Sequence, residues 1–400
     1  MGLFTRTPKP RTPSRKLSEV LRERGYIYQH SSALEEITDG PQRTVYEGFD
    51  PSADSLHVGN LVGILVLRRF LEAGHKVILV VGGGTGMIGD PSGKSEERVL
   101  LTPEQIAHNS KRIADQAKTL LGSGDFRMVN NADWLTGLNL LDFLRDIGKS
   151  FSVNAMIQRD SVKERLENRE QGISYTEFSY MLLQAYDFLH LHERYGCDWQ
   201  HGSSDQWGNI VSGVDLIRRR TGKTVYGTTH GLLINKATGK KFGKTEGGAV
   251  WLDPHKTNPF DFYQFWFNTA DDDVEEYLLK MTLVPKKEID EIMQAQRKEP
   301  SARAAQKKLA FEVTALVHGK EKAENIKEEV PTVSITKGTP LREALKDIVA
   351  STSELRRLVE GNAIAEVGAH GQRFDDIHTP IERTMVVHIG KYRLVKIIVK

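Results

Sequence analysis

Four stretches of this chain gather side chains that can bind or move charge. The first runs Tyr46-Glu47-Gly48-Phe49-Asp50-Pro51 through His57-Val58-Gly59-Asn60 and leads straight into the helix-like stretch Leu61–Leu71. A helix N-terminus offers free N–H groups and a partial positive charge, so it can hold phosphate. Gly59 lets backbone come close to a ligand, and His57 can donate a hydrogen bond to a phosphate oxygen. A plain strand–turn–helix with a capping residue would carry the same residues.

The second stretch is Gly82-Gly83-Gly84-Thr85-Gly86-Met87-Ile88-Gly89-Asp90-Pro91-Ser92-Gly93-Lys94-Ser95. Gly84, Gly86 and Gly89 fit a dinucleotide-binding spacing, but that fingerprint must open a helix, and Asp90, Pro91 and Gly93 break in at once. Gly93-Lys94-Ser95 resembles the end of a Walker-type phosphate loop, yet position 88 is Ile where that loop needs Gly. What remains is a loop after a strand carrying Asp90, Lys94 and Arg98, the place where open α/β sheets bind ligands. The third stretch, Gln200 to Asn209, crowds Ser203, Ser204, Asp205 and Gln206 around glycines; a ligand site competes there with an ordinary loop anchored by Trp207. The fourth, Gly239 to Thr245, sets Lys241 and Lys244 in a loop of small residues. Such lysines can close over phosphates and offset developing charge, although a solvated basic turn looks the same in sequence.

These stretches need a scaffold. From Thr44 to about residue 235 strand-like and helix-like segments alternate. Arg43–Phe49, Lys76–Val81 and Phe126–Val129 read as strands; Leu61–Leu71, stopped at Gly74, and Pro103–Leu121 read as helices. The alternation predicts an α/β fold with a parallel sheet. Residues 259–330 turn helical, with Ser301–Val317 the clearest case. Glu328–Pro340 reads as a linker. Residues 341–400 read as a small mixed unit: helix-like LREALKDIV, a second helix SELRRLVEGNAIAEVG, then strands TMVVHIG and YRLVKIIV. The resulting division is 1–252 (with 1–17 a flexible tail), 253–332 and 333–400.

Composition narrows the class. Lys plus Arg number 55 against 53 Asp plus Glu, which excludes a bulk polycation but not a local basic patch. The single cysteine, Cys197, excludes an internal disulfide or a multi-thiolate metal site, so no protein metal site is expected and a reducing, cytoplasmic setting is. No run approaches the roughly 18 apolar residues of a membrane span.

Taken together, the motifs resemble the class I aminoacyl-tRNA synthetases. His57-Val58-Gly59-Asn60 is similar to that class's His-Ile-Gly-His signature, and Lys241-Phe242-Gly243-Lys244-Thr245 to its Lys-Met-Ser-Lys-Ser signature. The resemblance narrows to the bacterial-type tyrosyl-tRNA synthetases through Tyr46-x-Gly-Phe-Asp-Pro, Ile88-Gly-Asp-Pro-Ser-Gly93, Tyr180-x-x-x-Gln184-x-x-Asp187, Ser204-Asp-Gln-Trp-Gly-Asn209, and Ala304–Gly319. Residues 341–400 resemble an S4-type RNA-binding module.

The resemblance implies a Rossmann-like catalytic domain, a helical domain and the S4-like unit. It implies activation of L-tyrosine by ATP, with Mg2+ carried on the phosphates, then transfer to tRNA(Tyr). His57, Lys241, Lys244, Thr245, Lys94 and Arg98 would serve the transferring phosphate; Gly48, Asp50, Gly59, Asn60 and Asp205 would hold ATP. Tyr46 with Asp187 would read the phenol. Asp90, Gln184 and Tyr180 would accept from the ammonium group, with Gln206 near the reacting carboxyl. Positions 180, 184 and 187 share one helix face. Four residues depart from the family pattern: Asn60 for the second histidine, Glu47 for a small residue or cysteine, Ser203 for a glycine, and Gly63 for something polar or larger. Residues 341–400 hold ten Lys or Arg against eight Asp or Glu, and Arg356, Arg357, Lys391 and Arg393 are the RNA-phosphate candidates. The family also implies a homodimer, with Leu138–Ile157 at the interface. Two alternatives stand: a tryptophanyl-tRNA synthetase, and a non-catalytic RNA-binding paralogue.

Overall fold

The computed structural model describes residues 15–92, 101–159, 162–163, 166, 172–234, 236, 242, 244–245, 248–328, 332–349, 351–366, 373–390 and 393–400. Its centre is a six-stranded sheet of β1 (Gln29–His30), β2 (Thr44–Phe49), β3 (Lys76–Val81), β4 (Phe126–Asn130), β5 (Trp199–Ser203) and β6 (Tyr226–His230). The spatial order is β1-β6-β5-β2-β3-β4, parallel throughout except for the antiparallel edge strand β1. The chain moves outward from β2 through β3 to β4, then returns to β5 and moves the other way. The gap between β2 and β5 is thus the switch point, and a cleft must open at the C-terminal ends of those strands.

Helices cover both faces. On one side α1 (Val58–Glu72) buries Leu61, Ile64, Leu65 and Phe70. Beside it packs α2 (Pro103–Leu121), which starts at the Thr102 cap with Pro103 in its first turn and buries Ile106, Ile113, Ala117 and Leu120. On the other side lie α3 (Tyr175–Tyr195), capped by Ser174 and stopped by left-handed Gly196, and α4 (Trp207–Thr221). Their residues Ala185, Phe188, Leu216 and Ile217 meet Tyr46, Ile78 and Val80 from the sheet.

Five helices follow: α5 (Pro259–Phe267), α6 (Asp271–Met281), α7 (Lys286–Lys298), α8 (Ala304–His318) and α9 (Lys320–Glu328). Their buried side chains, among them Trp266, Tyr277, Leu309 and Val313, belong to the same apolar cluster as Leu61 and Leu65 of α1. A two-stranded ribbon, β7 (Lys244–Thr245) with β8 (Gly248–Ala249), precedes them.

The C-terminal residues have a separate apolar cluster around Leu341, Leu355, Val387 and Ile397. Here β9 (Thr332–Ile335), β10 (Thr339–Pro340), α10 (Thr352–Glu360), β11 (Ile364–Glu366), β12 (Pro380–Ile381), β13 (Met385–Ile389) and β14 (Arg393–Val399) form a four-stranded sheet, β11-β13-β14-β9, and a small β10-β12 pair. Three expectations change. The segment 328–340 is no free linker, since β9 pairs in parallel with β14. The helix predicted over SELRRLVEGNAIAEVG ends at Glu360: Gly361 caps it, Asn362 turns left-handed at φ 51°, and Ile364 enters β11 against β13. Helix over LREALKDIV is confined to Leu341–Ala344.

Candidate active site

A cleft of about 450 Å³ opens at the β2/β5 switch point. At its inner end, Tyr46 from β2 and Asp187 from α3 both line the cleft and are 2% and 4% exposed. The Tyr46 hydroxyl is buried with no hydrogen-bond partner. Asp187 accepts from Asn131 Nδ2 at 2.9 Å and from Trp134 Nε1 at 2.7 Å. Burial raises the Asp187 carboxyl to about 7 and the Tyr46 phenol well above its ordinary range. A ligand hydroxyl placed here would accept from Tyr46 and donate to Asp187.

Gln184 and Tyr180, one and two turns away on the same helix, also line the cleft. The Tyr180 hydroxyl donates to Asp50 Oδ2 at 3.0 Å, so this tyrosine orients a carboxylate as well as facing the cleft. Thr85 donates to the other oxygen of Asp50 at 2.8 Å. Asp90 accepts from Gln206 Nε2 at 2.6 Å and from the Ser92 N–H at 3.0 Å. Burial, then the charge of Asp50, pushes Asp90 up to about 6. Asn209 donates to both Gln184 and Gln206, at 3.0 and 3.2 Å, and so ties α3 to the loop after β5. The result is an acceptor-rich pocket that suits an ammonium group.

The outer end carries the helix terminus. His57 is the N-cap of α1: its Nδ1 accepts from the Gly59 N–H at 3.0 Å. Asn60 Oδ1 accepts from the His57 N–H at 3.0 Å, completing a capping box. The structure thus gives His57 a capping role. With Nδ1 accepting, the ring carries its proton on Nε2 as a donor. Gly59 has to be glycine here, because a Cβ would stand 2.8 Å from the His57 ring. Gly48 and Asp205 line the same cleft, and the Ser203 hydroxyl donates to Asp205. Glu47 also lines it, 5% exposed, with Oε2 unpartnered and its carboxyl raised by burial to about 8.

Lys94, Arg98, Lys241 and Lys391 lie outside the described residues. Lys244 and Thr245 form the backbone of β7, and Arg393 begins β14. Phe242, between the two loop lysines, packs on Phe265, Trp266 and Tyr277. Arg356 and Arg357 are exposed on α10. Sequence reasoning missed Asn131 and Trp134, which hold Asp187, and the buried histidines His201 and His230. Asn131 follows β4 at a C-terminal strand end, and the switch-point rule applied to every strand would have singled it out.

Comparison with known proteins agrees with this geometry. Residues 39–333 match the family described as tRNA synthetases class I (W and Y). A tyrosine–tRNA ligase of Caldanaerobacter subterraneus is 42% identical over 410 residues, covering 96% of this chain and 99% of the relative. One from Dechloromonas aromatica is 54% identical over 308 residues, covering 76% of this chain and 72% of the relative. Among solved structures, a C-terminally truncated mitochondrial tyrosyl-tRNA synthetase of Aspergillus nidulans superposes with a TM-score of 0.70 at 32% identity, covering 78% of this chain and 92% of that one. A tryptophanyl-tRNA synthetase of Encephalitozoon cuniculi, at 14% identity and a TM-score of 0.56, shares the fold. The chain belongs to the class I tRNA synthetases for tryptophan and tyrosine, within the bacterial-type tyrosyl group.

Proposed function

We infer that the cleft performs both steps of tyrosine–tRNA ligation. An oxygen of the L-tyrosine carboxylate attacks the α-phosphorus of ATP, the bond to pyrophosphate breaks, and tyrosyl-adenylate forms. A ribose hydroxyl at the 3′ end of tRNA(Tyr) then attacks the tyrosyl carbonyl, and AMP leaves. No general base is needed in the first step, since the carboxylate is already ionised. Positioning and charge stabilisation supply the rate.

One observation carries the reading: the buried, unpartnered Tyr46 hydroxyl beside Asp187. A phenol satisfies both groups. An indole N–H satisfies only Asp187 and leaves Tyr46 orphaned, which disfavours tryptophan. Asp90, Gln184 and Tyr180 take the ammonium group, and Gln206 stands beside the carboxyl. His57 on the α1 terminus faces the phosphates, and the family resemblance gives Lys94, Arg98, Lys241, Lys244 and Thr245 the same duty. Gly48, Asp50, Gly59, Asn60 and Asp205 accommodate the nucleotide. Mg2+ carried on the ATP phosphates would need few protein ligands. When bound, that ion neutralises phosphate charge.

The outward-facing Leu140, Leu141, Leu144 and Val153 support a homodimer through residues 138–157. Exposed Arg356 and Arg357 on α10 support tRNA contact by an S4-like unit, with Lys391 and Arg393 later in the same unit. The single cysteine, Cys197, supports a reducing, cytoplasmic setting. Tyrosine-dependent exchange of pyrophosphate into ATP tests the reading. Exchange that responds to tryptophan and not tyrosine, or none with any amino acid, overturns it and leaves the tryptophanyl or the non-catalytic alternative.

A further inference from the structure

A line of buried polar groups behind the nucleotide end of the cleft plays no part in the two steps above. Trp199 and His201 project from β5, Thr228 and His230 from β6, in a register that sets His201 opposite Thr228 and Ser203 opposite His230. None is more than 6% exposed, and both histidines line the cleft. The Trp199 indole donates to Thr228 Oγ1 at 2.8 Å. Thr228 Oγ1 stands 2.8 Å from His201 Nδ1, and His201 Nε2 stands 3.0 Å from His230 Nδ1.

The direction of this chain follows from counting protons. An indole nitrogen only donates, so Thr228 Oγ1 must accept there. Suppose the Thr228 hydroxyl gives its own hydrogen to His201 Nδ1. His201 then carries its proton on Nε2 and gives it to His230 Nδ1, and His230 carries its proton on Nε2. The reverse order would have both rings protonated on Nδ1 and would leave the Thr228 hydroxyl hydrogen without an acceptor at a residue that is 0% exposed. Buried hydroxyls are rarely left so, and the first order prevails. Burial also keeps both rings neutral, with His230 lowered to about 4 and His201 lowered well below its ordinary range.

We propose that His230 reads the base of the nucleotide: its Nε2–H, held as a donor by the Trp199–Thr228–His201 chain, hydrogen-bonds a ring nitrogen of the ATP purine. The neighbouring groups divide the ligand in this way. Asp205, held by Ser203, is an acceptor and suits ribose hydroxyls. The phosphates belong at the α1 terminus with His57. A neutral donor then remains for a neutral acceptor, in a cleft whose lining also includes the apolar Leu232, Leu233 and Phe242 that suit a flat ring. This assignment rests on the reading of the cleft as an ATP site.

Calorimetric titration with ATP and with 1-deaza-, 3-deaza- and 7-deaza-ATP tests it without needing turnover, and pyrophosphate exchange run in parallel reports the reaction separately. One deaza analogue should bind the unmodified protein about 2- to 12-fold more weakly than ATP, the equivalent of one net hydrogen bond. In His230→Phe, ATP itself should weaken by a similar factor and that analogue should lose its penalty, while tyrosine affinity holds. His230→Gln keeps a donor and should recover part of the loss. Thr228→Val should reproduce part of it, and Thr228→Ser should restore it. Three analogues that bind like ATP, or a His230→Phe defect that falls equally on tyrosine, overturn the assignment. A deaza penalty without any amino-acid-dependent exchange keeps the base contact and defeats the ligase reading instead.

Discussion

The carboxylate of Glu47 on β2 fills the space that a side chain at residue 63 on α1 would take: a Cβ built on Gly63 stands 2.5 Å from Glu47 Oε1 and 3.0 Å from Oε2. Two departures from the family pattern are therefore one exchange, with bulk moved from helix to strand across the nucleotide cleft. Gly63→Thr should lower the melting temperature, as overpacking of this kind costs about 1–3 kcal/mol. Adding Glu47→Ala should recover most of that loss, whereas Glu47→Ala alone should leave a gap. Thermal denaturation of the two single variants and the double variant checks the coupling; strict additivity would show that the two positions are independent.

The same carboxyl gives a pH signature. Burial lifts Glu47 from its ordinary 4.5 to about 8. Between those values the folded chain holds a proton that the unfolded chain has lost, so stability falls as pH rises and levels off above 8. Asp90 at about 6 and Asp187 at about 7 act in the same direction but finish earlier. From pH 7 to 8.5 the decline should come chiefly from Glu47, at no more than about 1.4 kcal/mol per pH unit. Denaturant midpoints measured across this range should flatten in Glu47→Gln; an unchanged slope would assign the decline to other groups.

Asn131 binds two sides of the cleft together. Its Nδ2 donates to Asp187 and to Thr85, and its Oδ1 accepts from the Gly84 N–H at 2.7 Å. Asn131→Ala leaves Asp187 short of a buried donor. The KM for tyrosine should rise on the order of 10-fold or more, with the KM for ATP changing far less. Steady-state exchange with each substrate varied in turn separates the two.

His57 caps α1 and is proposed to donate to phosphate, and two substitutions part these roles. Asparagine is a good N-cap, so His57→Asn should stay within about 0.5 kcal/mol of the parent in stability. It loses the imidazole Nε2–H, so the rate of tyrosyl-adenylate formation should fall by roughly 10²–10³ if that donor meets the transferring phosphate. His57→Ala should show the same rate loss plus about 1 kcal/mol of lost stability. Equal adenylate formation by His57→Asn and the parent would leave His57 with the cap alone.

Much of this architecture is legible in sequence where one local signal dominates. Thr102-Pro103 marks the start of α2 and Gly122 its end, and the unbroken apolar run of β3 reads as a buried parallel strand. The spacing of Tyr180, Gln184 and Asp187 puts all three on the cleft side of α3. What is not legible depends on pairing between distant segments. The helix propensity of 361–366 yields to strand pairing with β13. Glu47 and Gly63 look like separate departures until β2 is laid against α1. His201 and His230 are 29 residues apart and meet only because β5 and β6 are neighbours in that register.

The apolar cluster that begins at Leu17 runs on to Ile326, with Trp266, Tyr277 and Met281 packed in the same interior as Leu61 and Val62. This bears on how the chain can be cut. A fragment ending near residue 252 would bare the wall that these side chains cover, and should precipitate. One spanning 15–328 keeps a closed interior and should melt in a single step. Residues 332–400, with an interior of their own around Leu355 and Val387, are the piece that could be exchanged for another without rebuilding the rest.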